Sequence, residues 1–404
     1  MRVLDGRRRG RSALAIGIAV TVVAGIACSP AGGNSNGAPG VTADQVVLGT
    51  SSGLTGAAGS FAVALHRGTE AWFKKVNAEG GVHGRAIDYV VLDDALEVSR
   101  AILNVRTLIR KPVFAVVGGT GAGSVVPMAE TLDAADVPYL FPPTGKPEFA
   151  DQVMSSVFAL LPTFSDQAAA LASWSAEKFG TGSYYLMTAE TTDQDEQAAA
   201  AEKAVKAAGG RWLGSTVVPI GTADVTPYAL KAAAGRPDYI IMTTAPADGI
   251  KIINALTAAG RLPAKAFLGG TALPGQPLLD AIHDPAARSR IYALASSVPA
   301  TDERAVACNA SLRRYFPDQV PDGASVFGCA MAQATVAALE SAGRKLTRDG
   351  LLRALESMSD KAASEVSTPL TFSTSSHRGL RSLPLLHIDG AQFKTLSDIP
   401  VGER

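Results

Sequence analysis

The sequence predicts an α/β protein built from two doubly wound lobes. From Gln45 onward, short apolar runs that suit strands alternate with longer stretches of helical pattern. The length of 404 residues leaves room for more than one domain at about 150 residues each. The alternation restarts near Pro162, after the apolar run 157–160. Apolar strands between helices are typical of parallel sheets covered on both faces.

The predicted elements follow this alternation along the chain. Strands are expected at 46–50, 89–92, 114–117, 139–141, 157–160, 184–188, 216–220, 239–243, 266–268 and 291–294. Helices are expected between them at 61–78, 98–110, 125–135, 165–179, 196–208 and 249–259. After residue 301 the pattern changes to three helices, 303–315, 326–342 and 348–358, and then to short strands at 370–372, 383–388 and 393–396.

The charge balance excludes one class of function. Lys and Arg number 37, Asp and Glu also number 37, and both signs are scattered along the chain. Nucleic-acid binding normally requires a basic excess or a basic stripe. No nucleic-acid partner is therefore predicted.

The first 27 residues have the pattern of a secretory signal. Arginines at the start are followed by an uncharged apolar run at 13–27. A basic region, an apolar region and small residues before a break are typical of such signals. The run is shorter than the roughly 20 residues that a membrane-spanning helix needs. The mature protein is predicted to be exported.

Cys28 directly follows the apolar run, and residues 25–28 resemble a bacterial lipobox. The resemblance implies cleavage before Cys28 and attachment of lipid to it, although Gly25 stands where Leu is usual. Residues 28–43 would then form the lipidated cysteine and a flexible, Gly- and Ser-rich tether. The alternative is an ordinary signal in which Cys28 has no special role.

The chain has 3 cysteines, too few for a disulfide framework. Cys308 and Cys329 are an even pair that encloses about 20 residues, which in an oxidising compartment favours a disulfide between two consecutive helices. Two buried free thiols are the alternative.

Ligands of open α/β sheets bind at the carboxyl ends of the strands. The turns that follow the predicted strands consist mainly of Gly, Ser, Thr and Pro, at 51–60, 118–124, 142–146, 189–195, 244–248 and 269–274. They offer backbone N–H groups and hydroxyls but few fixed charges. Such turns suit a small polar ligand.

An ordered set of segments resembles the branched-chain amino acid type of periplasmic binding protein, the type I solute receptors of ABC importers. The segments are LGTSSGLTGAAG at 48–59, KKVNAEGGVHGRAIDYVVLDDA at 74–95, LIRKPVFAVVGG at 108–119, ADVPYLFPPT at 135–144, GRPDYIIMTT at 235–244, NALTAAGRLPAKAFLGG at 254–270 and LLHIDGAQF at 385–393.

This resemblance implies two lobes, joined by three crossovers, that close on a small solute like a hinge. The expected N-terminal lobe is 44–160 plus 296–370, and the expected C-terminal lobe is 161–295 plus 371–400. The implied partners are the solute, an ABC permease and ATPase complex, and the membrane, reached through the lipid anchor on the extracytoplasmic face.

The resemblance also assigns candidate ligand-binding residues in the first lobe. The Gly-rich turn before helix 125–135 would cradle a carboxylate through Thr120, Gly121 and Ala122. Thr144, in the next turn, falls where the family makes a further contact. Ser60 and Phe61 could line the mouth of the cleft, and core packing is an equal alternative for Phe61.

Departures from the family pattern fall in the second lobe. Asp193 and Gln194 replace a Tyr-Gly pair, and Thr271 stands where an acid would hold the ligand's ammonium. Thr244 opens the turn after strand 239–243. Only Asp193 could pair with a cation, and its alternative role is to oppose a helix dipole. The ligand is therefore expected to be an amino acid, a small carboxylate or an amide.

Other functional classes are less favoured. H-E-x-x-H does not occur, and G-x-S-x-G occurs only in Gly- and Ser-rich turn or linker segments, at 33–37 and 49–53, so a secreted hydrolase is not expected and no catalytic residue is assigned. The histidines stand singly, so no metal site and no cofactor are predicted. A sensor that feeds a signalling partner would share the same two lobes and remains the alternative to transport.

Overall fold

The computed structural model describes residues 38–55, 59–121, 123–151 and 154–402. The predicted signal, Cys28 and Ala122 lie outside these residues. The first sheet has the strand order β2-β1-β3-β4-β5 and is parallel throughout. Its elements are β1 (Gln45–Ser52), α1 (Gly59–Ala78), β2 (Ala86–Asp93), α2 (Val98–Arg110), β3 (Ala115–Val117), α3 (Val125–Asp133), β4 (Tyr139–Leu140), α4 (Glu148–Asp151) and β5 (Val157–Phe158).

The second sheet contains seven strands in the order β12-β11-β10-β9-β8-β6-β7. Its alternating part comprises α5 (Phe164–Phe179), β6 (Ser183–Ala189), α6 (Gln194–Ala207), β7 (Arg211–Val218), α7 (Thr226–Ala233), β8 (Tyr239–Thr243), α8 (Pro246–Ala258), β9 (Ala266–Gly269), α9 (Gln276–Ala281), α10 (Pro285–Arg288) and β10 (Ile291–Leu294). The sheet is completed by β11 (Ser382–Asp389) and β12 (Gln392–Pro400), which run antiparallel to their neighbours.

Burial explains why these runs form parallel strands. Every residue of β3, β6 and β9 is buried, and helices occupy the connections between the strands. A strand covered on both faces is expected to be largely apolar, which is the pattern in the sequence; the exceptions in β6, Ser183 and Thr188, are hydrogen-bonded. The prediction of two α/β lobes is confirmed.

Between β10 and β11 lie a 3₁₀ turn, Glu303–Ala305, and three helices: α11 (Val306–Tyr315), α12 (Gly323–Ser341) and α13 (Arg348–Glu356). The helices α11 and α12 pack against α1 of the first lobe, so the chain passes between the two lobes three times. A disulfide joins Cys308 of α11 to Cys329 of α12, with the Cα atoms 5.9 Å apart.

Some predicted boundaries were wrong. Residues 370–372 form no ladder strand; Leu370 makes isolated bridges with Lys361 and Leu380, because this segment crosses between the lobes. The strand predicted at 157–160 ends at Phe158, and Ala159 pairs instead with Arg378 of the same crossover region. The strand predicted at 216–220 begins five residues earlier, at Arg211, and ends at Val218.

Candidate ligand-binding cleft

Each sheet has one topological switch point. In the first sheet β1 lies between β2 and β3, and in the second β6 lies between β7 and β8. The connections that leave β1 and β3, or β6 and β8, run to opposite faces of the sheet and leave a crevice at the carboxyl ends of the strands. The two crevices are the places to look for a ligand.

In the first lobe, Ser52 and Thr120 join the two strands that flank the crevice. The hydroxyls of these buried side chains lie 2.7 Å apart. The Thr120 N–H donates to Ser52 Oγ at 3.1 Å, and the Gly53 N–H donates to Thr120 Oγ1 at 3.3 Å. Thr120, predicted from the sequence, is therefore fixed at the switch point by a partner that was not predicted.

The turn after Thr120 leads into α3. Gly121 has φ +114°, which a residue with a side chain rarely adopts. Its carbonyl accepts from the N–H groups of Ser124 and Val125, at 2.9 and 3.1 Å. Ser124 precedes α3 but makes no side-chain cap, and its 1% exposed side chain leaves Oγ without a partner among the described residues.

Two aspartates hold the neighbouring loops in place. Asp93 accepts from the Thr55 hydroxyl at 2.7 Å and from the N–H groups of Leu54 and Thr55. The hydrogen bond with Thr55 is the largest cause of its lowered pKa. Asp94 accepts from Ser51 Oγ at 2.7 Å, while burial raises its pKa. Both carboxylates are thus used in fixing the loops after β1 and β2.

In the second lobe, Gln197 joins the flanking strands. Its Oε1 accepts from Thr188 Oγ1 at the end of β6, at 3.0 Å, and from Thr243 Oγ1 at the end of β8, at 2.6 Å. Its Nε2 donates to Asp193 Oδ2 at 2.9 Å. One amide side chain therefore occupies the position that the Ser52 and Thr120 hydroxyls occupy in the first lobe.

Unpartnered polar atoms remain beside this network. Asp193 is 2% exposed and Thr244 is 4% exposed. Among the described residues, neither Asp193 Oδ1 nor Thr244 Oγ1 has a hydrogen-bond partner, and the same holds for Gln194 Oε1. A buried polar atom without a partner costs free energy, so such atoms mark a place where a ligand can complete the bonding.

Gln167 of α5 connects strand-end turns of both lobes. Its Oε1 accepts from the Thr271 N–H and hydroxyl, at 2.9 and 3.1 Å, in the turn after β9. Its Nε2 donates to Pro162 O at 3.0 Å, and a Cβ placed on Gly145, in the turn after β4, would lie 3.1 Å from Nε2. The carboxyl edges of the two sheets therefore meet at this side chain.

The other residues predicted to contact a ligand lie in strand-end turns or at the start of a helix. Thr144 is buried, and its N–H donates to Pro142 O within the turn after β4. Thr271 is half-buried and engaged by Gln167. Ser60 and Phe61 lie at the start of α1, and Phe61 is 47% exposed, so the alternative of core packing is wrong for Phe61.

Gln167, Gln197 and Ser52 were missed by the sequence reasoning. Glutamines in the first turn of a helix carry no special signal by themselves. Ser52 lies in the segment 51–60, which follows a predicted strand. Their roles depend on partners that are distant in sequence, such as Thr271 for Gln167, 104 residues away.

Two features are absent from the described ranges. No group of three His, Cys, Asp or Glu side chains is placed to hold a metal ion. No helix there combines the length and the apolar character that a bilayer span requires.

Comparison with known proteins gives a consistent result. A profile of the family described as periplasmic binding protein matches residues 45–392. An amino acid binding protein of Pseudomonas aeruginosa is 31% identical over 117 residues, which is 29% of this chain and 31% of that protein. The match thus spans about a third of the length of this curated relative.

Solved structures match over nearly the whole chain. A fatty acid ABC transporter substrate-binding protein from Thermomonospora curvata has a TM-score of 0.77 at 18% identity, over 91% of this chain and 95% of that one. A branched chain amino acid ABC transporter protein from Thermus thermophilus, with bound valine, has a TM-score of 0.76 at 18% identity, over 88% and 96%. At such identities the likeness concerns the fold.

Proposed function

Because this chain belongs to the periplasmic binding protein family, we propose that it is the solute-binding component of an ABC importer. It would close its two lobes on a small polar solute and present that solute to the permease and ATPase. The family and its structural neighbours are substrate-binding proteins, not enzymes, so the hydrolase alternative is set aside.

One observation carries this proposal: each lobe has a switch point lined by buried polar side chains, and each retains polar atoms without partners. Ser124 supplies such an atom in the first lobe, and Asp193 and Thr244 supply them in the second. A solute held between the lobes would complete both sets. Because only a closed form makes both sets of contacts, the solute stabilises closure by its differential affinity.

The supported ligand class is an amino acid, a small carboxylate or an amide. Hydroxyls and amides predominate at the switch points, as at Ser52, Thr120 and Gln197. Similar proteins are named for amino acids and for a fatty acid, and one of their structures contains bound valine. The fold therefore does not fix the solute, and the side chains of this chain must select it.

We also propose that the protein is exported and anchored by lipid on Cys28, with residues 28–43 as the tether. The support is the sequence pattern before Cys28. For the lobes we retain the limits 44–160 plus 296–370 and 161–295 plus 371–400. Mass spectrometry of the protein from the membrane fraction would detect lipid attached to Cys28. The variant Cys28→Ala is expected to leave the membrane fraction.

Binding is tested on the chain from residue 38 onward. A panel of amino acids, small carboxylates and amides is screened by thermal shift, and hits are measured by calorimetry. A ligand at 100 times its Kd should stabilise the fold by about 2.7 kcal/mol. Small-angle scattering should show a lower radius of gyration with ligand.

The absence of any stabilising solute, or solute binding without compaction, would contradict hinge closure. Whether closure serves transport is tested by deleting the gene and measuring uptake of the labelled solute. Unchanged uptake, with a changed transcriptional response to the solute, would favour a sensor.

A further inference from the structure

We propose that Asp193 is the group that selects the solute, and that it does so by accepting a hydrogen bond from an N–H donor, either an ammonium or a primary amide. This inference rests on the proposed function and names the chemistry that the second lobe requires. The nitrogen-binding role then belongs to the turn after β6, and not to Thr271, which stands where the family resemblance places the acid that holds an ammonium group.

The direction of the hydrogen bonds leads to Asp193. Gln197 Oε1 accepts from the Thr188 and Thr243 hydroxyls. The hydroxyls suit either end of an amide, but Asp193 Oδ2 can only accept, so the amide nitrogen of Gln197 faces Asp193, to which it donates at 2.9 Å, and the oxygen faces the hydroxyls. A flipped amide would place a carbonyl oxygen against the carboxylate. The strand ends therefore fix Gln197, and Gln197 fixes Asp193.

The hydrogen-bond network ends at Asp193 Oδ1, which is an acceptor. Asp193 Oδ1 is buried and has no partner among the described residues, and the neighbouring Gln194 Oε1 is buried and unpartnered as well. A carboxylate and an amide oxygen can only accept hydrogen bonds. A solute that meets them must donate, and a cationic donor gives the strongest bond in a site with little water.

Helix capping does not account for Asp193. Asp284 and Asp322 each stand before a helix and accept a backbone N–H, from Ala287 at 2.7 Å and from Ser325 at 2.8 Å. Asp193 stands before α6 in the same way but makes no capping hydrogen bond. The helix also has Asp195 and Glu196 in its first turn to oppose the dipole.

Two other polar side chains near the strand ends of the second lobe, Asp248 and Thr271, are already engaged. Asp248, also buried, accepts from the Gly221 N–H at 2.8 Å and lies 3.4 Å from Lys251 Nζ. The Thr271 hydroxyl donates to Gln167. Within the described residues no Lys, Arg or His lies within salt-bridge distance of Asp193, so its charge is available to a ligand.

The test uses nine probes in three matched sets. They are L-leucine, L-valine and L-threonine; the carboxylates that lack the amine, 4-methylpentanoate, 3-methylbutanoate and 3-hydroxybutanoate; and the primary amides of those three carboxylates. Calorimetry gives Kd for the wild type, for Asp193→Asn and for Asp195→Asn. Asp195→Asn is the control because it removes one charge from the same helix turn at an exposed position.

We expect at least one amine or amide to bind tenfold more tightly than its matched carboxylate. Asp193→Asn should weaken that probe at least tenfold and remove the preference, whereas Asp195→Asn should change Kd less than threefold. The ligand-free Asp193→Asn protein should melt at or above the wild-type temperature, because a buried charge without a full set of partners has been removed.

Three results would overturn the inference and leave the proposed function intact. They are carboxylates that all bind as tightly as their matched amines and amides, an unchanged Kd in Asp193→Asn, and a loss of affinity in Asp193→Asn that is equal for the amine and for its carboxylate, which would show a structural role. If the variant does not fold, Gln197→Met is measured with the same probes, and the same loss of preference is expected.

If none of the nine probes binds, the solute found in the wider screen replaces them. The inference then requires that its Kd rise at least tenfold in Asp193→Asn relative to the wild type. A solute without N–H groups overturns this inference alone. The absence of any solute overturns the proposed function together with it.

Discussion

Ser52 and Thr120 share a hydroxyl–hydroxyl hydrogen bond of 2.7 Å that ties the end of β1 to the end of β3. This bond fixes the first-lobe switch point, where a solute would meet the turn that contains Gly121. In the second lobe the corresponding connection runs through the amide of Gln197. The two lobes therefore organise equivalent crevices with different chemical groups.

Thr120→Val should weaken ligand binding at least tenfold. The substitution keeps the shape of the side chain but removes the hydroxyl, which leaves the Ser52 hydroxyl and the Gly53 N–H without their partner. Thr120→Ser retains the hydroxyl and should bind within about threefold of the wild type. Calorimetry with the best ligand measures both variants, and equal loss in both would contradict a role for the hydroxyl.

Gly328→Ala should destabilise the protein by about 1–3 kcal/mol or more. Gly328 lies in α12 where that helix crosses α1. A Cβ at this position would lie 1.9 Å from the backbone oxygen of Leu65 in α1, and a backbone atom cannot move without moving the helix. The gain in helix propensity, about 1 kcal/mol, does not offset this clash.

Gly323→Ala is the matched control for Gly328→Ala. It lies in the same helix, and a Cβ there meets nothing within 4 Å. Urea unfolding should show Gly323→Ala to be at least as stable as the wild type. Similar stabilities for the two variants would show that α1 and α12 have room to separate.

Stability should fall as the pH drops from about 6.5 towards 4, partly because of His66. Burial lowers the pKa of His66 from 6.5 to about 4. In this window the unfolded chain takes up a proton that the folded chain does not, so each unit of pH removes up to about 1.4 kcal/mol. Above 6.5 both states are neutral at this residue and the effect is absent.

Thermal melts at pH 7 and pH 5 measure this effect. His66→Met should melt at a lower temperature than the wild type at pH 7, since the 2.9 Å contact between His66 Nδ1 and Tyr89 OH is lost. The melting temperature of His66→Met should change less between pH 7 and pH 5 than that of the wild type. His283→Asn, at an exposed position, should keep the wild-type difference; an unchanged difference in His66→Met would exclude this histidine as the cause.

Removing the disulfide should lower the stability by about 2–4 kcal/mol. The bond joins Cys308 and Cys329, which are 21 residues apart in sequence, and it links α11 to α12. The double variant Cys308→Ser, Cys329→Ser should unfold at a lower urea concentration than the oxidised wild type. A reductant should destabilise the wild type and leave the variant unchanged; a reductant effect on both would show that it acts elsewhere.

The sequence by itself determined the class of fold and indicated the turns in which a binding site is proposed. Apolar runs such as β9 identify strands because a strand covered on both faces is largely apolar. The carboxyl ends of those strands indicate candidate binding turns, such as the one that Thr244 opens, and the family resemblance adds Thr120 and Asp193 as candidates. Local pattern failed at 370–372, where a crossover takes the place of a ladder strand.

Only the tertiary structure decided which polar groups are satisfied and which remain free. Asp193 and Asp322 both stand before a helix, yet one caps its helix and the other is held by Gln197 with an oxygen to spare. The close crossing at Gly328 likewise depends on Leu65, far away along the chain. Hydrogen bonds and close contacts at the site join residues that are distant in sequence, so a single sequence read locally contains no record of those pairings.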